Sequence, residues 1–89
     1  MAITFDEKKD AINKRKHGIS LSRAEDFDFD TAEFAVDDRE DYGEVRIRGI
    51  GFLDVRLYVL IFTLRGEDLR PISLRKATRH EQKEYKEDY

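Results

Sequence analysis

Residues 55–64 read VRLYVLIFTL, the most apolar stretch of the chain. In an extended conformation, Leu57, Val59 and Ile61 point to one side, and the residues between them, which are also apolar, point to the other. A strand that is apolar on both faces is typical of the interior of a sheet that is covered on both sides. The sequence therefore predicts a central strand with helices packed against its sheet.

The neighbouring segments predict further strands on each side of this run. Apolar and basic side chains alternate over residues 45–50, which indicates a strand, and residues 51–54 are expected to form the turn after it. A second turn at residues 65–68 leads into a strand at residues 69–74. Because Pro71 has no N–H to donate, this last strand is expected at a sheet edge, or Pro71 at a bulge.

The N-terminal segment predicts a helix. Good helix formers extend from Asp6 to Lys16, and Gly18 is a typical residue just past a helix end. Thr4 and Glu7 have the spacing of a capping box, which would start the helix. Its apolar stripe is thin and consists mainly of Phe5 and Ile12. Such a helix must lie across a larger element to be stable.

Two further helices complete the predicted fold. A short one begins at Ser20 or Ser22 and runs through Phe27, and the last one begins at the capping-box pair Thr78 and Glu81. The buried positions expected on them are Leu21, Ala24 and Phe27, then Ala77 and Tyr85. With a short strand candidate at residues 33–36, we expect a single α+β domain over residues 1–89. It has two N-terminal helices, a three- to four-stranded antiparallel meander and one C-terminal helix.

Composition limits the chemistry. No apolar run reaches the roughly 18 residues of a membrane span, and the N-terminus does not have the pattern of a signal peptide. The chain has no cysteine and two histidines, too few ligands for an ordinary zinc site. We therefore expect a cytoplasmic protein without membrane partner, metal or cofactor.

Charge is distributed unevenly along the chain. The net charge is −3, but residues 25–44 hold ten acids and one base, so this acidic segment carries −9 and the rest of the chain +6. Such asymmetry often marks two different partners, although both regions are equally consistent with ordinary solvated surface.

The basic part of the chain permits RNA cleavage. When the 2′-hydroxyl of RNA attacks the adjacent phosphate, a protein need only move protons and stabilise the phosphorane. Histidine exchanges protons near neutral pH, and arginine holds phosphate oxygens in a bidentate fork. Positively charged groups placed around developing negative charge are often the largest catalytic contribution.

Three stretches resemble, in order and spacing, the BrnT-type toxins of bacterial toxin–antitoxin pairs. They are FDEK at 5–8 with NKRKHGIS at 13–20, EVR at 44–46 leading to GIG at 49–51, and RPISLRKAT at 70–78 followed by Glu81 and Tyr85. The resemblance covers residues 5–85. It differs from the usual family pattern at Phe5, Pro71 and Leu74, where the family has tryptophan nearby, isoleucine and alanine.

The resemblance implies a RelE-like fold and a metal-independent ribonuclease that stops translation. It also implies a cognate antitoxin with a ribbon-helix-helix domain, through which alone the complex contacts DNA. Together with the basic residues of the chain, it suggests two sets of site residues. The catalytic set is His17, Arg46, Arg65 and Arg75, and the RNA-binding set is Lys16, Arg70 and Arg79.

Each of these residues also has a purely structural interpretation. Lys16 and His17 can stabilise the C-terminal end of a helix dipole, Arg46 can lie on the wet face of a strand, and Arg75 can protect a sheet edge. Arg70 and Arg79 can contact the antitoxin instead of RNA. The changes at Pro71 and Leu74 favour an alternative function: a weak or inactive toxin-like module that acts with an antitoxin in operon repression.

Overall fold

The apolar run forms the inner strand of a four-stranded antiparallel sheet with the order β1-β2-β3-β4. The computed structural model describes residues 2–39 and 41–87, the last of these by its backbone only. The elements are α1 (Glu7–His17), a 3-10 helix (Leu21–Asp26), β1 (Glu33–Val36), β2 (Ile47–Leu53), β3 (Arg56–Arg65), β4 (Asp68–Lys76) and α2 (Arg79–Glu87). The predicted α+β class with an antiparallel sheet is confirmed, and β1 has the predicted bounds.

Each face of the sheet is covered by different elements. On one side, called the α1 face, α1 and the 3-10 helix cover a core built on Leu60, Phe62 and Leu74. On the other, called the α2 face, Ala77 and Tyr85 pack on Ile50, Val59 and Ile61. The prediction that the central strand is apolar on both sides is confirmed.

The predicted turn at residues 51–54 is wrong, because β2 continues through Leu53 and the chain turns at Asp54 and Val55. Gly51 is needed for packing instead. A Cβ atom there would lie 2.7 Å from the Cβ of Ala32 and 2.8 Å from Cζ of Phe27. A glycine read as a turn signal thus marks a close approach of the chain to the sheet.

Pro71 lies both at the sheet edge and at a bulge, as predicted. β4 is an edge strand, Phe62 pairs with Pro71 while Ile61 pairs with Ser73, and Ile72 is the extra residue between them. The missing N–H therefore costs no regular ladder bond.

The predicted start of α1 is wrong. Asp6 is the N-cap, and its side chain accepts from the N–H of Lys8 at 2.8 Å. Thr4 belongs to a segment that pairs with β4. The N–H of Thr4 donates to the carbonyl of Leu69, and the N–H of Leu69 donates to the carbonyl of Ala2. The predicted end is confirmed, since Gly18 adopts a left-handed conformation with φ of 72°.

The predicted apolar stripe of α1 is also wrong at Ile12, which is 45% exposed. The buried residues of this helix are polar, Asp10 and Asn13. The Asn13 amide donates to the carbonyl of Leu74 at 2.8 Å and accepts from its N–H at 3.1 Å, and it also donates to Ile19. α1 is therefore attached to the edge of β4 by a side-chain amide that bonds both backbone groups of Leu74, as a residue of a neighbouring strand would.

The second predicted helix is a short 3-10 helix. Ser20, one of the two predicted caps, accepts from the N–H of Ser22, and the predicted buried residues Leu21, Ala24 and Phe27 are buried. Its start is fixed by Asp10, which accepts from Leu21 N–H at 2.7 Å. Within the described ranges, no helix is long and apolar enough to span a membrane.

Replacing Asn13 by alanine is expected to destabilise the fold by about 3 kcal/mol, because three hydrogen bonds are lost and the backbone groups of Leu74 stay buried without them. Ile12→Ala is the control on the same helix, with an expected change below about 1 kcal/mol. Urea unfolding of both variants measures this. Equal losses would show that α1 is held by its apolar residues.

Gly51→Ala is expected to cost about 2 kcal/mol, because Ala32 and Phe27 are packed too firmly to move aside. Gly49→Ala is the matched control. A Cβ atom there would meet the ring of Phe34, 2.8 Å away, but this ring is half exposed and can rotate outward. In thermal unfolding, the melting temperature of Gly51→Ala should therefore be well below that of Gly49→Ala. The opposite order of melting temperatures would contradict this account of Gly51.

Candidate active site

Strand alternation places five arginines on the α2 face. Ile61 of β3 pairs with Arg48 of β2 on one side and with Ser73 of β4 on the other. Thr63 of β3 pairs with Arg70 of β4. Positions two residues apart share a face, so the set is Arg46, Arg48, Arg65, Arg70 and Arg75. Four of these were predicted as site residues; Arg48 was not.

Glu81 organises two of these arginines. Its carboxylate accepts from both terminal nitrogens of Arg75, at 2.7 and 2.9 Å, and from Arg48 at 2.8 Å. Glu81 is 8% exposed. Two guanidinium groups thus share the Glu81 carboxylate, which fixes both side chains, and Arg48 also lies 3.8 Å from the Glu84 carboxylate.

Glu81 also starts α2 through the predicted capping box. Its side chain accepts from Thr78 N–H at 2.8 Å, and its own N–H donates to the Thr78 hydroxyl at 3.2 Å. Hydrogen bonds from Arg75, the Thr78 backbone and Arg48 hold the pKa of this carboxyl well below its usual range, against the opposing effect of burial. The capping residue of the helix is therefore the anion that holds the arginines.

His17 lies close enough to Arg75 to interact with it electrostatically. Partial burial, followed by the positive charges of Arg75 and Lys16, lowers the pKa of the imidazole below its usual value of 6.5. The side chain nonetheless remains exposed. At neutral pH it is therefore mostly uncharged and able to accept a proton.

The loop after β1 brings a third guanidinium near this group. The Glu81 carboxylate raises the pKa of Arg75, and the positive charge of Arg39 acts in the opposite direction. Arg39 is itself held by Asp37, with nitrogen–oxygen distances of 2.7 and 3.0 Å. We call Arg39, Arg48, Arg75, Glu81 and His17 the Arg75 cluster.

Arg46 and Arg65 form a second group around Glu44. The Glu44 carboxylate is 3.5 Å from Arg46 and 3.8 Å from Arg65. The Arg46 guanidinium lies 3.9 Å from the centre of the Tyr42 ring, a cation–π distance. Its Nε atom is buried and has no hydrogen-bond partner in the described part of the chain.

The remaining predicted residues are less constrained. Arg70 is half-buried on the α2 face, and Arg79 is exposed in the first turn of α2. Lys16 is exposed beside His17 at the end of α1. For residues 2–39 and 41–87, no ion pair involves any of the three. Lys16, Arg70 and Arg79 therefore keep their positive charges without an ion-pair partner among the described residues.

This arrangement can bind a phosphodiester and move a proton. Guanidinium groups on a half-buried sheet face suit phosphate oxygens, and an uncharged imidazole beside them suits a general base. Metal-binding residue types do not come together in groups of three or more anywhere in the described residues.

Sequence reasoning did not select Arg39, Arg48 or Glu81 for the site. Alternation predicts Arg48 on the same face as Arg46, but Arg48 does not clearly match the family motif, so only Arg46 was selected. Glu81 was predicted to cap the last helix and belongs to the stretches of the family resemblance, but it was given no role in the site. Arg39 is the one basic residue of the acidic segment, and nothing in the local sequence pattern distinguishes it as a site residue.

The differences from the family pattern at Pro71 and Leu74 lie away from these groups. Leu74 is fully buried in the core of the α1 face, and Pro71 is buried opposite Phe62 of the same core. Both side chains therefore belong to the face opposite the arginines.

Residues 5–81 match the family model described as the ribonuclease toxin, BrnT, of type II toxin–antitoxin systems. A comparison with curated proteins gave no match.

Glu81→Gln is expected to lower the free energy of unfolding by about 2 kcal/mol at pH 7, because two half-buried guanidinium groups lose their buried anion. The folded-state pKa of Glu81 is below its ordinary value of 4.5, so its stabilisation is present above that value and is lost as the pH falls below it. The variant and the parent should therefore converge in acid.

Urea unfolding between pH 7 and pH 3 measures this convergence. Glu84→Gln is the control, since Glu84 is more exposed and 3.8 Å from Arg48, and it should change stability by less than about 0.5 kcal/mol. A difference between Glu81→Gln and the parent that stays constant with pH would contradict the role of the charge.

Proposed function

Because the chain belongs to the BrnT family of ribonuclease toxins of type II toxin–antitoxin systems, we propose that it cleaves RNA without a metal ion, by attack of the 2′-hydroxyl on the adjacent phosphate. What supports this mechanism is that Arg75 is close enough to His17 for its charge to act on the imidazole. A proton acceptor and a phosphate-binding group act on the same bond only if they are neighbours.

In this mechanism His17 removes the proton of the 2′-hydroxyl. Its lowered pKa keeps the imidazole uncharged at neutral pH, the state that a general base requires. The 2′-oxygen then attacks phosphorus and the bond from phosphorus to the 5′-oxygen breaks. The 5′-oxygen takes a proton, from the His17 imidazolium or from water, and leaves as a 5′-hydroxyl, and the other product is a 2′,3′-cyclic phosphate.

Arg75 stabilises the dianionic phosphorane, and Glu81 fixes its guanidinium beforehand, so little reorganisation is needed during the reaction. Arg46 and Arg65 complete the proposed catalytic set from the second group. The Arg46 guanidinium lies 3.5 Å from the Glu44 carboxylate, so a phosphate oxygen must compete with that carboxylate for it. Lys16, Arg70 and Arg79 are proposed to bind the RNA backbone on either side.

In the cell, we propose that this cleavage inhibits translation in the cytoplasm and that a cognate antitoxin neutralises it. The antitoxin carries the ribbon-helix-helix domain through which the complex binds DNA. The four-stranded sheet with helices on both faces is proposed to be the RelE-like fold.

A second candidate function is an inactive module that holds the antitoxin. The observation that favours it is the occupation of Arg75: both of its terminal nitrogens donate to Glu81, so a phosphate must compete with that carboxylate. The two functions differ in whether the isolated chain cleaves RNA.

His17→Ala is expected to reduce RNA cleavage by about a hundredfold or more, the usual contribution of a general base. His80→Ala, at an exposed position of α2, should retain the parent rate and is the matched control. Because the pKa of His17 is lowered, the imidazole becomes protonated only below the ordinary histidine value of about 6.5, and the rate should fall in that more acidic range. Release of fluorescent fragments from a labelled RNA, in EDTA and in magnesium alike, measures these rates.

Inducible expression tests the same function in cells. The parent should arrest growth, whereas His17→Ala combined with Arg75→Ala, at matched soluble levels, should not. Intact RNA in every buffer, together with unimpaired growth, would favour the inactive module.

A further inference from the structure

The two outer edges of the sheet are treated differently by the chain. On β4, both backbone groups of Leu69 pair with residues 2–4, and both groups of Leu74 pair with the side chain of Asn13. On the outer side of β1, no strand of the described residues follows. One edge is therefore occupied at two points, and the other is open.

The direction of the β1 backbone groups follows from one hydrogen bond. Asp37 N–H donates to the carbonyl of Arg46 at 2.8 Å, so Asp37 and Arg46 form a hydrogen-bonded pair. Such pairs alternate along an antiparallel ladder, so Ala35 also directs its N–H and C=O toward β2. Phe34 and Val36 therefore direct theirs away from the sheet.

These two residues also belong to an apolar surface. By strand parity, their side chains lie on the α1 face, together with those of Val45 and Leu64, at the end of the sheet that α1 and the 3-10 helix leave open. The exposed fractions of Phe34, Val36, Val45 and Leu64 are 45, 63, 65 and 51%. We call this surface the β1 edge patch. It combines unpaired strand edge with exposed apolar side chains, the combination that strand addition uses.

The surroundings of the β1 edge patch are acidic. Its β1 residues, Phe34 and Val36, lie within the acidic segment 25–44, whose net charge is −9. Asp30 precedes β1, and Asp38 and Asp41 follow it; within the described ranges none of these three forms an ion pair. A second copy of the chain would bring two such segments together, so charge disfavours edge-to-edge dimers. A basic partner would be attracted.

We propose that the β1 edge patch binds an extended, basic segment of a partner protein, which adds to β1 as a fifth strand. Every second side chain of that segment is apolar and covers Phe34 and Val36, and the side chains between them are lysine or arginine. The inference rests on the proposed function only in naming the antitoxin as the supplier of this segment; the surface itself requires no ribonuclease activity.

The test uses the full chain and two synthetic peptides of about six residues, the length of a typical strand. One alternates valine with lysine and the other valine with glutamate. Amide spectra recorded during titration should shift at residues 33–37, Val45 and Leu64 with the lysine peptide only. Binding should weaken between about 0.01 M and about 0.15 M salt, since screening shortens with ionic strength. The amide protons of Phe34 and Val36 should become protected from exchange.

Val36→Pro removes the outward N–H without breaking the pairing to β2, and it should weaken peptide binding about tenfold, the value of one hydrogen bond with its partner left unpaired. Val36→Thr keeps the N–H and a branched side chain and should bind within about threefold of the parent, a difference of roughly 0.65 kcal/mol. Val55→Asp, at a residue that is 88% exposed on the β2–β3 turn, controls for charge and should have no effect.

Equal binding of both peptides, or binding that Val36→Pro leaves unchanged, would overturn the proposal. So would concentration-dependent dimerisation in sedimentation that Val36→Pro abolishes, because the patch would then bind a second copy. RNA cleavage by Val36→Pro should equal that of the parent. Peptide binding by a chain that cleaves no RNA would refute the proposed enzyme and leave this surface standing.

Discussion

The pair of hydrogen bonds between the Asn13 side chain and the backbone of Leu74 sets the position of α1 against the edge of β4. α1 buries few apolar atoms, so this amide, rather than hydrophobic contact, determines where the helix lies. His17 is four residues beyond Asn13, on the same side of the helix, and Arg75 is the residue after Leu74. One amide therefore fixes the relative position of the proposed base and the proposed phosphate-binding group.

Glu81 plays the corresponding part on the other side of the sheet. It lies in the first turn of α2, completes the capping box with Thr78, and pairs with Arg48 and Arg75. Because its charge is shared by Arg48 and Arg75, the guanidinium groups are held still before any substrate arrives. The same contact competes with a phosphate. The ion pairs with Glu81 thus have two effects: they position the guanidinium groups before substrate binds, and they compete with the phosphate for those groups.

Much of the fold could be predicted from alternation, turns and caps. The double-sided apolar run placed β3, residues 33–36 were assigned as β1, and Pro71 was placed at an edge or bulge. Local patterns failed where tertiary contacts decide: Gly51 is a packing glycine rather than a turn, and Thr4 pairs with β4 rather than capping α1. The site was reachable in part. Arg46 and Arg75 were selected through the family resemblance. Arg48 and Arg39 come near Glu81 and Arg75 only because segments distant in sequence pack together.

The unequal edges of the sheet also limit how the chain can assemble. A fibre of stacked strands needs each molecule to offer two free edges, one to receive a neighbour and one to pass the pattern on. Here the chain uses its own N-terminal residues and Asn13 on the β4 side, so growth through the sheet stops after one addition. Any strand-mediated complex at β1 is consequently a closed one-to-one pairing, which sets a fixed stoichiometry and protects the protein against open-ended polymerisation.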